Sequence, residues 1–372
     1  MAVGLYIHIP FCIKKCHYCD FISFDNRSDI HEAYVHALIQ EIGRYDKLDV
    51  DTIFIGGGTP SCILPKYIES ILSACRKQFH FTDNVEISIE VNPATVDAEK
   101  LNMYRNAGIN RISMGVQSMN DDELAALGRL HRSDDVRKSY DTIKNAGFTN
   151  INLDMISAVP NQTMESLRFT LNELCSLTPA HLSAYSLIIE QDTPLYSMYE
   201  QDLLALPDED TEREMYEYVI DFLGTQGYAQ YEISNFAKSG FECRHNLKYW
   251  QCEPYIGLGI AAHSCFNGAR YGNISSIDTY VSLIEGGNSV VAEKTVLTHQ
   301  DIISDYIIMG LRLCKGVSLD KFNSRFGIDL HDIFNAEINR HIKGGFMQIR
   351  DGYLSFTRQG ISVSNSILCD FI

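Results

Sequence analysis

The chain has 372 residues, 45% of them hydrophobic and 21% charged, with 25 glycines and 9 prolines. That composition belongs to one large or two moderate folded domains and excludes disordered and fibrous classes. Lysines and arginines number 31 against 48 aspartates and glutamates, a net charge of −17, which repels a polyphosphate backbone and argues against general nucleic-acid binding.

The N-terminal stretch Met1–Pro10 lacks the charged region and cleavage site of a signal peptide. No apolar run approaches the roughly 20 residues needed to span a bilayer. A cytoplasmic location is the expectation, and there the eleven cysteines should ligate metal or pack inside rather than form disulfides. Short apolar runs predict strands at Leu5–Ile9, Thr52–Ile55, Glu86–Val91, Arg111–Gly115, Asn150–Ile156 and His181–Leu187, with starts roughly 30–45 residues apart, as in βα units. Amphipathic patterns between them predict helices at Ile30–Tyr45, Pro65–Phe79, Asp97–Asn106, Ser133–Asn145 and Met164–Leu174, with Ser133 and Thr163 as caps. Six such units mean an α/β fold with a parallel sheet, open or barrel-like.

Beyond Asp208 the pattern changes. A long helix near Asp210–Leu223 precedes Tyr228–Gly272, where periodicity is weak. From Thr298 onward three helical stretches, two short strands around Gly352 and a last helix after Thr357 predict a small winged-helix-like domain. Its mixed charge favours packing or partner contact over DNA. The expected division is 1–290 and 291–372.

Chemistry concentrates in His8-Ile9-Pro10-Phe11-Cys12-Ile13-Lys14-Lys15-Cys16-His17-Tyr18-Cys19-Asp20-Phe21. Thiolates spaced C-x3-C-x2-C directly after the first strand point to a soft metal or an iron–sulfur cluster. Three ligands on a four-iron cluster leave one iron open. From the residues alone, zinc completed by His17 or Asp20 is the alternative. The other strand ends carry Gly56-Gly57-Gly58-Thr59, Glu90, Gln117 and Asp154, so glycine turn, carboxylate, amide and carboxylate converge with the thiols on one rim.

With Tyr18 before the last cysteine, the loop resembles the signature of the radical S-adenosylmethionine (SAM) superfamily. The resemblance implies that Cys12, Cys16 and Cys19 hold a [4Fe–4S] cluster whose fourth iron takes the amino and carboxylate groups of SAM. It implies that one electron from the cluster cleaves SAM to a 5′-deoxyadenosyl radical. It also implies a partial (βα)6 TIM-like barrel, in agreement with the six units counted above.

Tyr6–Cys12, the Gly-Gly-Gly-Thr-Pro run, Gly115–Gln117 and Ile151–Pro160 resemble two related families over nearly the whole chain. These are the oxygen-independent coproporphyrinogen III dehydrogenases and the HemW-type heme chaperones. By that resemblance Tyr6, Tyr18, Gly57, Gly58, Thr59, Glu90, Gln117, Arg129 and Asp154 contact SAM. Residues 157–159 read Ser-Ala-Val where both families usually show Tyr-Gly-Leu, a change in local shape beside Asp154.

Three features separate the families. Phe21 stands where the dehydrogenases have a fourth cysteine. The chain starts almost at its first strand, where they carry an extension. Arg244-His245-Asn246-Leu247-Lys248-Tyr249-Trp250, after Cys243, resembles the chaperones' His-Asn-x-x-Tyr-Trp motif. His263 likewise replaces an apolar residue near SAM. The resemblance implies a protein that binds heme and hands it to heme-accepting respiratory proteins, without a membrane span and with peripheral contact to membrane-bound acceptors. Radical decarboxylation of coproporphyrinogen is the alternative. Heme iron accepts histidine or thiolate, which makes Cys243, His245 and His263 candidate ligands near the barrel mouth, with Tyr249 and Trp250 as flat partners. An ordinary hydrogen-bonded histidine and a packed thiol are the alternatives for His245 and Cys243. Gly257-x-Gly259-x-x-Ala262 fits a dinucleotide fingerprint only formally, because it is not the first βα turn.

Overall fold

The computed structural model describes residues 2–372. Six strands, β1 (Val3–Ile9), β2 (Asp49–Gly57), β3 (His80–Val91), β4 (Arg111–Gln117), β5 (Asn150–Ser157) and β6 (His181–Ser186), lie side by side in chain order and pair in parallel. Helices His31–Ile42, Pro65–Gln78, Ala98–Asn106, Ser133–Asn145 and Met164–Ser176 connect them. Alternation explains the layers. Leu5, Ile7, Ile53, Ile55, Ile87, Ile89, Leu153 and Met155 point outward and are fully or almost fully buried in the main core. The residues between them, among them Tyr6, His8, Phe54, Ser88, Glu90 and Asp154, face the concave side.

Later strands extend both edges: β7 (Ala229–Gln230), β8 (Asn235–Ala237), β9 (Tyr255–Leu258), β10 (His263–Phe266), β11 (Ala269–Asn273) and β12 (Val291–Val296). The twelve-stranded order is β12-β11-β10-β9-β1-β2-β3-β4-β5-β6-β8-β7, an open, partial barrel with β9 parallel to β1 and the outer strands antiparallel. The weakly periodic stretch therefore holds order after all. Strands of two to five residues and the one short helix Arg244–Trp250 are too brief to print a period. The run around Gly257 and Gly259 ends β9 and turns into β10, and the Gly259 N–H donates to the buried Glu41 carboxylate at 2.8 Å.

A second, separate hydrophobic cluster runs from Ile303 to Phe371. It is built from helices His299–Gly310, Leu319–Phe326 and Leu330–Lys343 and a three-stranded sheet of β13 (Val317–Ser318), β14 (Met347–Arg350) and β15 (Tyr353–Phe356), followed by two short helices. Two expectations shift. Strand β12 pairs with β11, so the large sheet continues past residue 290. Ser133 is the first residue of its helix rather than the cap; Arg132 is the cap, and Ser133 N–H donates to Asp121 instead. Thr163 does cap, accepting from Ser166 N–H. Arg358 makes a two-pronged ion pair with Asp221 at 2.7 and 2.9 Å, and Arg312 lies 5.0 Å over the Trp250 ring, fastening the C-terminal part to the barrel.

Candidate functional site

At the C-terminal ends of the parallel strands lies a cavity of about 540 Å³. Cys12, Cys16, Cys19, Tyr18, Gly57, Gly58, Thr59, Glu90, Gln117, Arg129 and Asp154 all line it. Of the residues expected there only Tyr6 does not, and it sits one layer deeper in the barrel beside His8 and Phe54. Glycine is required at Gly58, where a Cβ would stand 2.7 Å from the Phe11 carbonyl oxygen. That close approach lets the Gly58 and Thr59 N–H groups donate to Ile9 and Phe11 at 2.9 and 2.7 Å, seating the cysteine loop against the end of β2.

A belt of hydrogen bonds ties the thiols to three strand ends. Thr59 Oγ1 donates to Cys12 Sγ at 3.6 Å, Asn92 Nδ2 donates to Thr59 Oγ1 at 2.9 Å, and Arg129 donates to Asn92 Oδ1 at 2.7 Å, Gly115 O at 2.5 Å and Cys16 Sγ at 3.4 Å. His8 fastens the far side of the loop. Its Nε2 lies 2.8 Å from Ile22 O and its Nδ1 3.0 Å from Tyr6 OH. A carbonyl can only accept, so Nε2 carries the proton and Nδ1 accepts from the tyrosine. Burial lowers the His8 pKa, which keeps the ring neutral in that role.

Burial, followed by the nearby Asp154 charge, raises Glu90 to about 8, against a pull from the Gly57 N–H at 3.1 Å. Burial also raises Asp154, while donors on Ser183, Asn152 and Ser113 pull it back. Two carboxyls that face one cavity, the charge of one raising the proton affinity of the other, form a site that a positively charged ligand would relieve. Burial pushes the Cys19 thiol up to about 11, so this side chain keeps its proton until a metal takes the proton's place.

The donor set fits an iron–sulfur cluster. Among the described residues no three His, Cys, Asp or Glu side chains converge on a single-ion site. Cys12, Cys16 and Cys19 come from one loop and all line the cavity, a three-thiol set of the kind that holds an iron–sulfur cluster. Of the two side chains that could complete the alternative zinc site, His17 turns to Ala126 O at 3.2 Å, while Asp20 lines the cavity.

The Cys243–Trp250 segment lies elsewhere than expected. Helix Arg244–Trp250 fills the concave face at the other end of the strands: His245 Nδ1 contacts Thr52 Oγ1 at 2.9 Å, and the Arg244 and His245 N–H groups donate to Glu86 at 3.3 and 3.1 Å. Thr52 precedes the Gly57 rim by five strand positions, roughly 16 Å. His245 is 1% exposed and its Nε2 bonds Tyr249 OH at 2.8 Å, so both ring nitrogens are engaged. Cys243 is fully buried, with its Sγ 3.8 Å from Glu86. His263 is not brought to this cluster and stands exposed on β10. Sequence reading missed His8, Asn92, Ser113 and Tyr185 as site residues; the last three line the cavity. Their signal was the same rim position that marked Glu90 and Asp154.

The radical SAM superfamily model matches residues 6–174, and a HemN C-terminal domain model matches 297–363. The heme chaperone HemW of Bacillus subtilis is 36% identical over 99% of this chain and 98% of its own. This chain belongs to the HemW family of radical SAM proteins. The Escherichia coli heme chaperone HemW is 31% identical over 98% of this chain and 97% of its own. In fold, the coproporphyrinogen III oxidase HemN of E. coli, described as a radical SAM enzyme, superposes with a TM-score of 0.87 at 24% identity, covering 100% of this chain and 90% of that one. Membership brings with it a [4Fe–4S] cluster and SAM as cofactors. Among the described residues no helix is long and apolar enough to cross a membrane.

Proposed function

We infer that this chain is a heme chaperone, binding heme and passing it to acceptor proteins from a radical SAM core. The observation that carries this reading is its likeness to chaperones of that name over both chains nearly end to end. Cys12, Cys16 and Cys19 hold the cluster, which supplies one electron to SAM when bound. Glu90 and Asp154 meet the cationic groups of SAM, Arg129 meets its carboxylate, Tyr18, Gly57, Gly58, Thr59 and Gln117 shape the pocket, and Tyr6 supports it through His8. The acceptors are respiratory proteins, met in the cytoplasm or at the surface of a membrane.

For heme, His263 is the candidate ligand that needs no rearrangement, because its side chain is already at the surface. His245 and Cys243 would reach iron only after the helix leaves the barrel, giving up its bonds to Thr52 and Glu86. Tyr249 and Trp250 would travel with it. Anaerobic heme titration of the cluster-loaded protein tests the reading. Saturable binding at one heme per chain, weakened by His263→Ala, is expected; absence of saturable binding contradicts it.

A further inference from the structure

The helix that fills the bottom of the barrel is joined to the SAM-facing carboxylate by a continuous chain of hydrogen bonds. The Cys243 N–H donates to Tyr231 OH at 3.2 Å, and Tyr231 OH lies 2.8 Å from His181 Nε2. On the other side of the ring, His181 Nδ1 lies 2.6 Å from Asn152 Oδ1, and Asn152 Nδ2 donates to Asp154 Oδ1 at 2.7 Å and to Ser113 Oγ at 2.8 Å. Ser113 Oγ donates in turn to Asp154 Oδ2 at 3.1 Å. His181, Asn152 and Ser183, the middle of the chain, are between 1% and 3% exposed, so water does not take the place of one of them.

One end fixes the polarity of the whole chain. A carboxylate accepts only, so the Asn152 amide must turn its NH2 toward Asp154 and its oxygen toward His181. That oxygen accepts from Ser183 Oγ at 3.2 Å and lies 2.6 Å from Nδ1. An unprotonated nitrogen there would set two lone pairs face to face, so the proton of the neutral ring is on Nδ1. Nε2 is then an acceptor, filled by the Tyr231 hydroxyl. Turning the amide over would leave its oxygen against a carboxylate in a dry site, a costly arrangement.

We propose that His181 is a positioning residue for the SAM site, holding Asn152 so that it orients Asp154, and that through Tyr231 it couples helix Arg244–Trp250 to that pocket. The proposal rests on the reading that Asp154 contacts SAM. It gives His181, which touches neither cluster nor cavity, a task at the site, and it gives the Cys243–Trp250 segment a structural route to SAM.

The test compares SAM affinity, by anaerobic equilibrium dialysis, with iron content and the change that SAM causes in the cluster's electron paramagnetic resonance signal. His181→Phe removes both ring contacts and should weaken SAM binding by about tenfold, the scale of one lost buried hydrogen bond, with iron content unchanged. His181→Asn restores a donor where Nδ1 stood and should recover most of that affinity. Tyr231→Phe keeps the packing, removes only the hydroxyl and should weaken SAM binding to a lesser degree, which serves even if His181→Phe does not fold. Parent-like SAM affinity in both His181→Phe and Tyr231→Phe, beside weakened Asp154→Asn, overturns the proposal. So does failure of His181→Asn to recover more affinity than His181→Phe. Parent-like affinity in Asp154→Asn overturns the underlying placement of SAM itself.

Discussion

Glu90→Gln separates the cost of a buried charge from its use. The folded protein holds Glu90 at about 8 where an ordinary glutamate titrates at 4.5. Between those values the folded chain keeps a proton that the unfolded chain has released, so stability falls as pH rises through that window. Each tenfold difference in proton affinity is worth about 1.4 kcal/mol, which sets a ceiling on the order of 5 kcal/mol. Glu90 borders a cavity open to solvent, and screening there brings the expectation to about 2 kcal/mol. The glutamine keeps an oxygen for the Gly57 N–H and carries no charge beside Asp154. Urea unfolding of cluster-loaded, SAM-free protein should therefore give equal stabilities near pH 4.5, with the variant ahead by about 2 kcal/mol at pH 9. SAM affinity should move the other way, the variant binding more weakly because the carboxylate no longer faces the ligand's positive charge. A stability difference that stays constant with pH, or one of opposite slope, refutes the assignment of a neutral Glu90 in the empty pocket.

Three further outcomes follow from the same geometry. Anaerobic reconstitution with iron and sulfide should turn the parent brown and leave the Cys12, Cys16, Cys19 triple alanine variant colourless; stoichiometric zinc without iron–sulfur absorbance contradicts the cluster. Arg129→Ala breaks the belt at Asn92, Gly115 and Cys16, each bond of a charged donor being worth about 1.5–3 kcal/mol, and should weaken SAM binding more than Arg129→Lys; equal affinity for the two and for the parent would place SAM elsewhere. His245→Ala should lower the urea midpoint sharply, because it leaves Thr52 and Tyr249 without partners in a dry interior, yet keep one heme per chain; loss of heme with unchanged stability makes His245 the ligand instead.

What was legible in the sequence had a local signature. The six strands showed because their outward residues are aliphatic and their neighbours are not, and the cysteine loop showed through spacing alone. The carboxylates at 90 and 154 were found because they sit where strands end. The belt was not legible: Asn92 and Arg129 meet across 37 residues, and no period in either neighbourhood announces the other. The location of His245 was hidden for a related reason. Its neighbours Arg244 and Asn246 read as surface, and what buries it is Thr52 and Glu86, contributed by strands 193 and 159 residues earlier. The Trp250 ring, expected beside heme, packs against Arg312 from a domain whose docking no local pattern encodes.

The central claim is that this radical SAM core moves heme rather than altering a porphyrinogen. Its most direct test is a single anaerobic preparation, loaded with cluster and SAM, split between two assays. One part is charged with heme and mixed with an apo-acceptor from a respiratory complex; the other is given coproporphyrinogen III and a one-electron reductant. Heme should appear on the acceptor in stoichiometric amount, with no decarboxylated product beyond background. Repeated turnover of coproporphyrinogen without transfer of heme would contradict the account.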